Sequence, residues 1–262
     1  MAPSKFSDFL AYSIYYKDKC YSNNEIRQYW DGCTKIYLNS NHPVFQFALF
    51  SKDFDQHLDI LYSRHWQDGS RKVLDAGCGI GAVTNFFAKK HPETSFTGIT
   101  ICPEQAKIAQ ANALENCTFV NASYDEMPFD SESFDFVYFN QSIGYVPLVE
   151  VLLQINRILK PGGRLLISDV CSTEDPSFSQ QECLKKLQEA WKYMFYPNWY
   201  FLKAADLFGF KLVEHNPNIN LIMDSSAWKN LMQNGLHAFH GQDIVDPPIK
   251  ISEFLYEKPH CA

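Results

Sequence analysis

Residues 71–90 read RKVLDAGCGIGAVTNFFAKK. A short apolar run suited to a buried strand gives way to a glycine-rich turn and then to a helical pattern. Gly77 and Gly79 let the backbone turn sharply off the strand and pass close to a ligand, because no Cβ intrudes. The turn delivers the chain into a helix whose N-terminal amides face a crevice. The residues that follow keep alternating. SFTGIT, CTFVNAS, FDFVYFN and RLLISDVC read as strands, with PEQAKIAQANALE and VPLVEVLLQINRIL as helices between them. Pro103 sits in the first turn of one helix. The other repeats Val149, Leu152, Leu153 and Leu159 at helical spacing until KPGG stops it. Right-handed βαβ crossovers and a mostly parallel sheet follow, so the fold class is α/β.

The flanks read differently. Ser22 or Asn23 caps NEIRQYWDGCTKIYL, and Asp53 caps FDQHLDILYSRHW. NSNHPVFQFALF between them is apolar and ambiguous. Beyond residue 175, QQECLKKLQEAWKYMFYPNWYFLKAADLFGF is helical and aromatic, with Pro197 breaking it. KLVEHNPNI, a helix from about Ala227 and ISEFLYEK then add an antiparallel pair to the sheet edge. The chain thus divides into an N-terminal helical cap (1–69), a nucleotide-binding core (70–174), an aromatic helical cap (175–210) and C-terminal strands completing the sheet (211–262).

Composition narrows the partners. A net charge of −7 with no run of Lys or Arg argues against a nucleic-acid surface, which needs clustered bases to neutralise phosphates. The start, MAPSKFSDFLAYS, lacks a long apolar stretch, and nothing approaches the length of a membrane span, so a cytoplasmic location is expected. Eight cysteines are scattered without CxxC pairs, which reads as reduced thiols and no metal site.

The turn also satisfies G-x-G-x-x-A through Gly77, Gly79 and Ala82, a pattern shared with NAD and FAD sites. Asp75 argues for another ligand. A carboxylate at the entrance repels a pyrophosphate, whereas S-adenosylmethionine (SAM) carries no phosphate and presents an ammonium and a sulfonium. The order hydrophobic–hydrophobic–Asp–x–Gly–x–Gly–x–Gly resembles class I SAM-dependent methyltransferases. The resemblance spans about residues 70–171, including MPFDSESFDFVYFN and KPGGRLLISD. It implies a Rossmann-like fold, a seven-stranded, mostly parallel sheet with the last strand antiparallel, a helical cap, SAM as cofactor and a small-molecule substrate. The oligomeric state stays open, with a homodimer among the options.

GITICPEQ resembles one branch of these enzymes, the cyclopropane synthases, sterol methyltransferases and prenyl diphosphate C-methyltransferases, in which a Thr and a Gln hold the ribose. Carried over, these are Thr100 and Gln105, with Ile101 beside them. Neutral groups can pair with ribose hydroxyls without a buried charge. The resemblance puts Ser123 and Tyr124 at the adenine, and Asn140 and Gln141 below the sulfonium, facing the substrate. Cys78 lines the loop and does no chemistry.

EIRQYWD, GITICPEQ, NQSIGYV and the chain length are similar to prenyl diphosphate C-methyltransferases, implying methylation of an isoprenoid double bond, with cyclisation as one outcome. A diphosphate substrate would bring magnesium. Two departures stand out: Gln141 occupies the place of a Glu that removes the proton, and a His-rich patch is missing near NSNHPVFQF. The proton would pass to Tyr145, a His such as His42, Asp169 or the substrate's own diphosphate. Arg27, Lys35, Arg64 and Lys203 are the scattered bases on offer for that diphosphate. Aromatic residues in WKYMFYPNWYF suit an apolar substrate and a cation, although most read as the core side of a helix. The rival readings are an O- or N-methyltransferase of a small natural product, and a SAM-binding protein without catalysis.

Overall fold

The computed structural model describes residues 6–39, 50, 51, 53–219 and 248–260. Most of NSNHPVFQFALF, with His42, and the helix expected from Ala227 lie outside these residues. Three helices precede the sheet: α1 (Phe6–Lys19), α2 (Asn23–Asn39) and α3 (Phe54–His65). Ser22 and Glu25 cap α2 reciprocally, the Ser22 N–H donating to the Glu25 carboxylate and the Glu25 N–H to the Ser22 hydroxyl. Asp53 accepts the Gln56 N–H at 2.8 Å to start α3.

Strands and helices then alternate as β1 (Lys72–Ala76), α4 (Ala82–Lys90), β2 (Ser95–Thr100), α5 (Pro103–Ala111), β3 (Cys117–Asn121), β4 (Phe134–Asn140), α6 (Leu148–Ile158) and β5 (Leu159–Ser172). They are followed by α7 (Phe178–Trp191), α8 (Asn198–Leu207), β6 (Lys211–Ile219) and β7 (Ile249–Glu257). The sheet has seven strands in the order β3-β2-β1-β4-β5-β7-β6. The pairs from β3 to β5 are parallel, and β7 runs antiparallel to both its neighbours. The mostly parallel sheet and antiparallel last strand agree with the sequence expectation.

Strand alternation builds two cores. Val73, Phe136 and Tyr138 face α3 and α4, meeting Leu58, Leu61, Val83 and Phe87. Leu74, Val137 and Phe139 face the other way, where Val151 and Ile155 of α6 and Phe201 of α8 cover them. On α6 the buried stripe includes Val151, Leu152, Ile155 and Ile158, whereas Leu153 is 58% exposed. A buried ionic clasp ties α3 to β7. Glu253 accepts from Arg64 Nε at 3.1 Å, again from the Arg64 terminal nitrogen, and lies 3.0 Å from His65 Nε2. Burial pushes the Glu253 carboxyl up, but the hydrogen bonds from His65 and Arg64 outweigh it and hold it at about 2.

The aromatic stretch differs from expectation. The helix does not run on to Pro197; α7 ends at Trp191, and Lys192 turns out of it with φ 52°. Residues up to Pro197 are extended because neighbouring backbone claims them: Met194 N–H donates to Gly144 O at 2.8 Å and Ser172 N–H to Tyr196 O at 3.1 Å. No described helix is long and apolar enough to cross a membrane, and the described cysteines are free thiols.

Candidate cofactor crevice and active site

A crevice of about 540 Å³, part of it open to solvent, lies at the C-terminal ends of β1, β2 and β4. The glycine turn forms one wall. The N–H groups of Gly77 and Cys78 both donate to Ile99 O, at 2.9 and 3.0 Å, which folds the turn back against β2. Gly77 adopts φ +92°, and a Cβ there would sit 2.6 Å from Ser142 Oγ and against the Tyr124 hydroxyl. The turn is therefore packed against the opposite wall with no atom to spare.

Thr100, Ile101 and Gln105 line the second wall. Thr100 Oγ1 donates to Gln105 Oε1 at 2.7 Å, and Gln105 Nε2 donates to Thr34 Oγ1 at 2.9 Å. These hydroxyls and the amide are held in place by a helix from outside the sheet. The same helix brings Ile26 and Trp30 into the lining, and Arg27 Nε donates to Ile101 O at 3.3 Å. Sequence reasoning missed Ile26 and Trp30. Their signal was an i, i+4 apolar pair on a helix, which names a buried face but not what it covers. Ser123 and Tyr124 line the far end, and Ser123 Oγ lies 3.5 Å from Asn23 Oδ1.

The floor is Asn140, Gln141, Ser142 and Tyr145. Both amide atoms of Asn140 are buried without a hydrogen-bond partner among the described residues. Gln141 turns the chain with φ 54°, its N–H donating to Ser168 O at 2.8 Å. Ser142, another residue missed from sequence, donates its hydroxyl to Ala76 O at 2.7 Å. The Tyr145 ring stacks edgewise on Trp30 at 5.8 Å and on Tyr193 at 4.6 Å.

Asp169, suggested from sequence as a proton acceptor, lies behind the crevice wall and not on it. It is fully buried and absent from the lining, and its oxygens take the N–H groups of Ser142 and Ile143, each at 2.9 Å, that of Val170 at 2.6 Å, and the Tyr193 hydroxyl. Burial pushes its carboxyl up to about 6 against those four donors. Its role is to tie the floor loop to the aromatic segment after α7. Gly144 completes the tie: a Cβ there would strike the Tyr193 ring.

Asp75 is likewise not on the crevice wall. It shares the face of Val73, beneath α4, where it is 2% exposed and accepts the Thr84 hydroxyl at 2.6 Å. Burial pushes it up to about 6, opposed by the Thr84 bond. Cys78 is buried behind the turn, close to Gly98, and burial pushes its thiol well up. Among the suggested diphosphate partners, Arg64 is committed to Glu253, and Lys203 lies 3.4 Å from Asp206 on the surface of α8.

The described lining contains no charged side chain at all. That set suits a phosphate-free nucleoside: hydroxyls and amides for a ribose, an unsatisfied Asn140 amide for a polar ligand end, and no base to neutralise a pyrophosphate. Residues 73–163 match the family model described as a methyltransferase domain. Over that stretch the chain carries a class I SAM-dependent methyltransferase domain.

Among curated relatives, the chain is 37% identical over 124 residues to sterol 4-C-methyltransferase strm-1 of Caenorhabditis elegans, covering 44% of this chain and 35% of that one. It is 28% identical over 208 residues to sterol 24-C-methyltransferase ERG6B of Gibberella zeae, covering 72% and 54%. The chain thus spans about a third to a half of the length of these relatives. In fold it matches the [4+2]-cyclase SpnF with a TM-score of 0.70 at 19% identity, over 92% of this chain and 98% of that one. Geranyl diphosphate C-methyltransferase from Streptomyces coelicolor A3(2), solved with Mg2+, geranyl diphosphate and S-adenosyl-L-homocysteine, matches with a TM-score of 0.69 at 14% identity, over 90% and 97%.

Proposed function

We propose that this methyltransferase transfers the methyl group of SAM to a carbon of an isoprenoid double bond. The observation that carries the reading is a described crevice lining that is neutral throughout, with Trp30 and Tyr145 standing beside the Asn140–Gln141 floor. A hydroxyl acceptor needs a base to take its proton as it attacks, and the described lining offers neither a carboxylate nor a histidine. An alkene needs no base to attack; its demand comes later, when the carbocation must be stabilised, and aromatic faces do that.

When bound, SAM supplies an electrophilic methyl carbon on a positively charged sulfur. In this reading Thr100 and Gln105 meet the ribose hydroxyls, Ser123 and Tyr124 the adenine, and Asn140 the methionine end. Trp30, Ile26 and Tyr145 exclude water and align the acceptor. Held by those residues, SAM would supply its methyl group to the acceptor carbon, and the proton then shed by the acceptor would pass by the Tyr145 hydroxyl to water at the open side of the crevice. Of the proton acceptors suggested by sequence, Tyr145 stands at the crevice, Asp169 is spent on its four donors, and His42 lies outside the described residues.

The test is methyl-labelled SAM with a panel of prenyl alcohols, prenyl diphosphates and sterols, the product read by carbon NMR. Label on a former alkene carbon supports the proposal. Label confined to oxygen or nitrogen, or none on any acceptor while SAM binds, removes it.

A further inference from the structure

The inward face of α2 repeats at i, i+4 and i+8 as Ile26, Trp30 and Thr34. Ile26 and Trp30 line the crevice. Thr34 is 1% exposed and off the lining, and it meets Gln105 instead. A hydroxyl can accept as well as donate. Here its oxygen takes a hydrogen of Gln105 Nε2 at 2.9 Å.

The other end of the same amide is held from the sheet. Thr100 closes β2 and donates its hydroxyl to Gln105 Oε1 at 2.7 Å, while its oxygen accepts the Cys102 N–H at 3.3 Å. The amide plane is thus clamped between a hydroxyl of β2 and a hydroxyl of α2. The helix that carries the second hydroxyl is itself pinned to this wall. Arg27 Nε donates to Ile101 O at 3.3 Å, and the Cys102 thiol to Asp31 Oδ1 at 3.0 Å.

That clamp matters because a glutamine side chain has three torsions and, left to itself, spreads its amide over many orientations. Gln105 is 2% exposed, so an amide that lost its partner could not turn to water for another. Of the four hydrogen-bonding positions of an amide, the two threonines take two, leaving one hydrogen and one lone pair. Gln105 and Thr100 both line the crevice. A donor and an acceptor on one fixed plane match two adjacent sugar hydroxyls, one accepting and the other donating. Fixing the plane in advance removes an ordering cost from binding.

Resting on the reading of Gln105 as a ribose partner, and independent of the acceptor, we infer that Thr34 is a positioning residue for cofactor recognition. Its hydroxyl, delivered from α2, sets the plane on which the Gln105 amide meets the ribose diol.

The experiment is calorimetric titration of the full chain with S-adenosylhomocysteine and with its 2′,3′-dideoxy analogue, which keeps every other group. The wild type is expected to prefer the diol about 30-fold. Thr34→Val keeps the shape and removes the hydroxyl. It is expected to weaken the diol about tenfold and to hold the dideoxy analogue within about twofold, so the preference falls to about threefold. Thr34→Ser, which keeps the hydroxyl, is expected to match the wild type within about twofold. A merely structural Thr34 would weaken both ligands alike. Equal weakening, an unchanged preference in Thr34→Val, or no rescue by Thr34→Ser would overturn the inference. If Thr34→Val fails to fold, Thr34→Ala is read by the same ratio. Gln105→Met separates the inference from the reading beneath it. A preference lost in Gln105→Met but kept in Thr34→Val removes the role of Thr34 and leaves the ribose reading standing. A preference kept in Gln105→Met removes both.

Discussion

Adding one carbon at Gly77 tests how the crevice is built. At φ +92° an L side chain costs about 1–2 kcal/mol in backbone strain. The new Cβ would also lie 2.6 Å from Ser142 Oγ and press on the Tyr124 hydroxyl. Ser142 cannot yield cheaply, since its hydroxyl is bonded to Ala76 O and its N–H to Asp169. Breaking one such buried bond costs about 1–3 kcal/mol. The Gly77→Ala penalty is therefore about 2–5 kcal/mol, which lowers Tm by about 5–20 °C for a chain of this size. Gly69→Ala is the control: φ is +83°, but nothing lies within 4 Å of its Cβ, so it carries the strain alone, about 1–2 kcal/mol. Thermal unfolding of both variants beside the wild type, with calorimetric titration of SAM, reads the difference. Gly77→Ala should fall further in Tm and lose about 100-fold in SAM affinity. Equal falls in the two variants, or wild-type SAM binding by Gly77→Ala, would refute the packed-turn account.

Tyr193→Phe deletes the hydroxyl that ties the aromatic segment to Asp169, and should raise the acceptor KM about tenfold while SAM affinity holds; an unchanged KM in steady-state kinetics counts against the tie. Asp75 has a folded pKa raised to about 6, so its contribution to stability is full below the unfolded value of 3.8 and is lost as pH rises through 6. Urea unfolding should then show Asp75→Asn gaining on the wild type by about 2–3 kcal/mol between pH 4 and 7, and parallel curves would contradict it. Glu253 behaves oppositely: held at about 2, its contribution stands above the unfolded value of 4.5 and is lost as pH falls through 2. Glu253→Gln should cost about 3–5 kcal/mol at pH 7, with the gap narrowing in acid melts below pH 4.5; a gap that is constant with pH would show that the clasp is not ionic.

The sheet was legible because each strand from β1 to β5 is a short apolar run bounded by a turn and a helical pattern. Thr100 and Gln105 were legible through GITICPEQ, and the structure sets them on one wall of the crevice. Asp75 was misplaced although the signal was present: strand period puts it on the face of Val73, under α4, rather than at the open edge. Asp169 looked like a free acid because nothing local reveals that Ser142, Ile143 and Tyr193, distant in sequence, all donate to it. The stretch WKYMFYPNW fits helical and extended spacing alike, and what decides is Gly144 accepting the Met194 N–H from across the fold. Contacts of that range leave no periodicity to read.

The helix α2 stands outside the alternating core and reaches the crevice through Ile26, Trp30 and Thr34. A substitution on that single helix can reshape the space beside the cofactor while the glycine turn and the sheet stay as they are. Because Thr34 of the same helix holds the Gln105 amide and Arg27 the Ile101 carbonyl, a shift of α2 moves two walls of the crevice together.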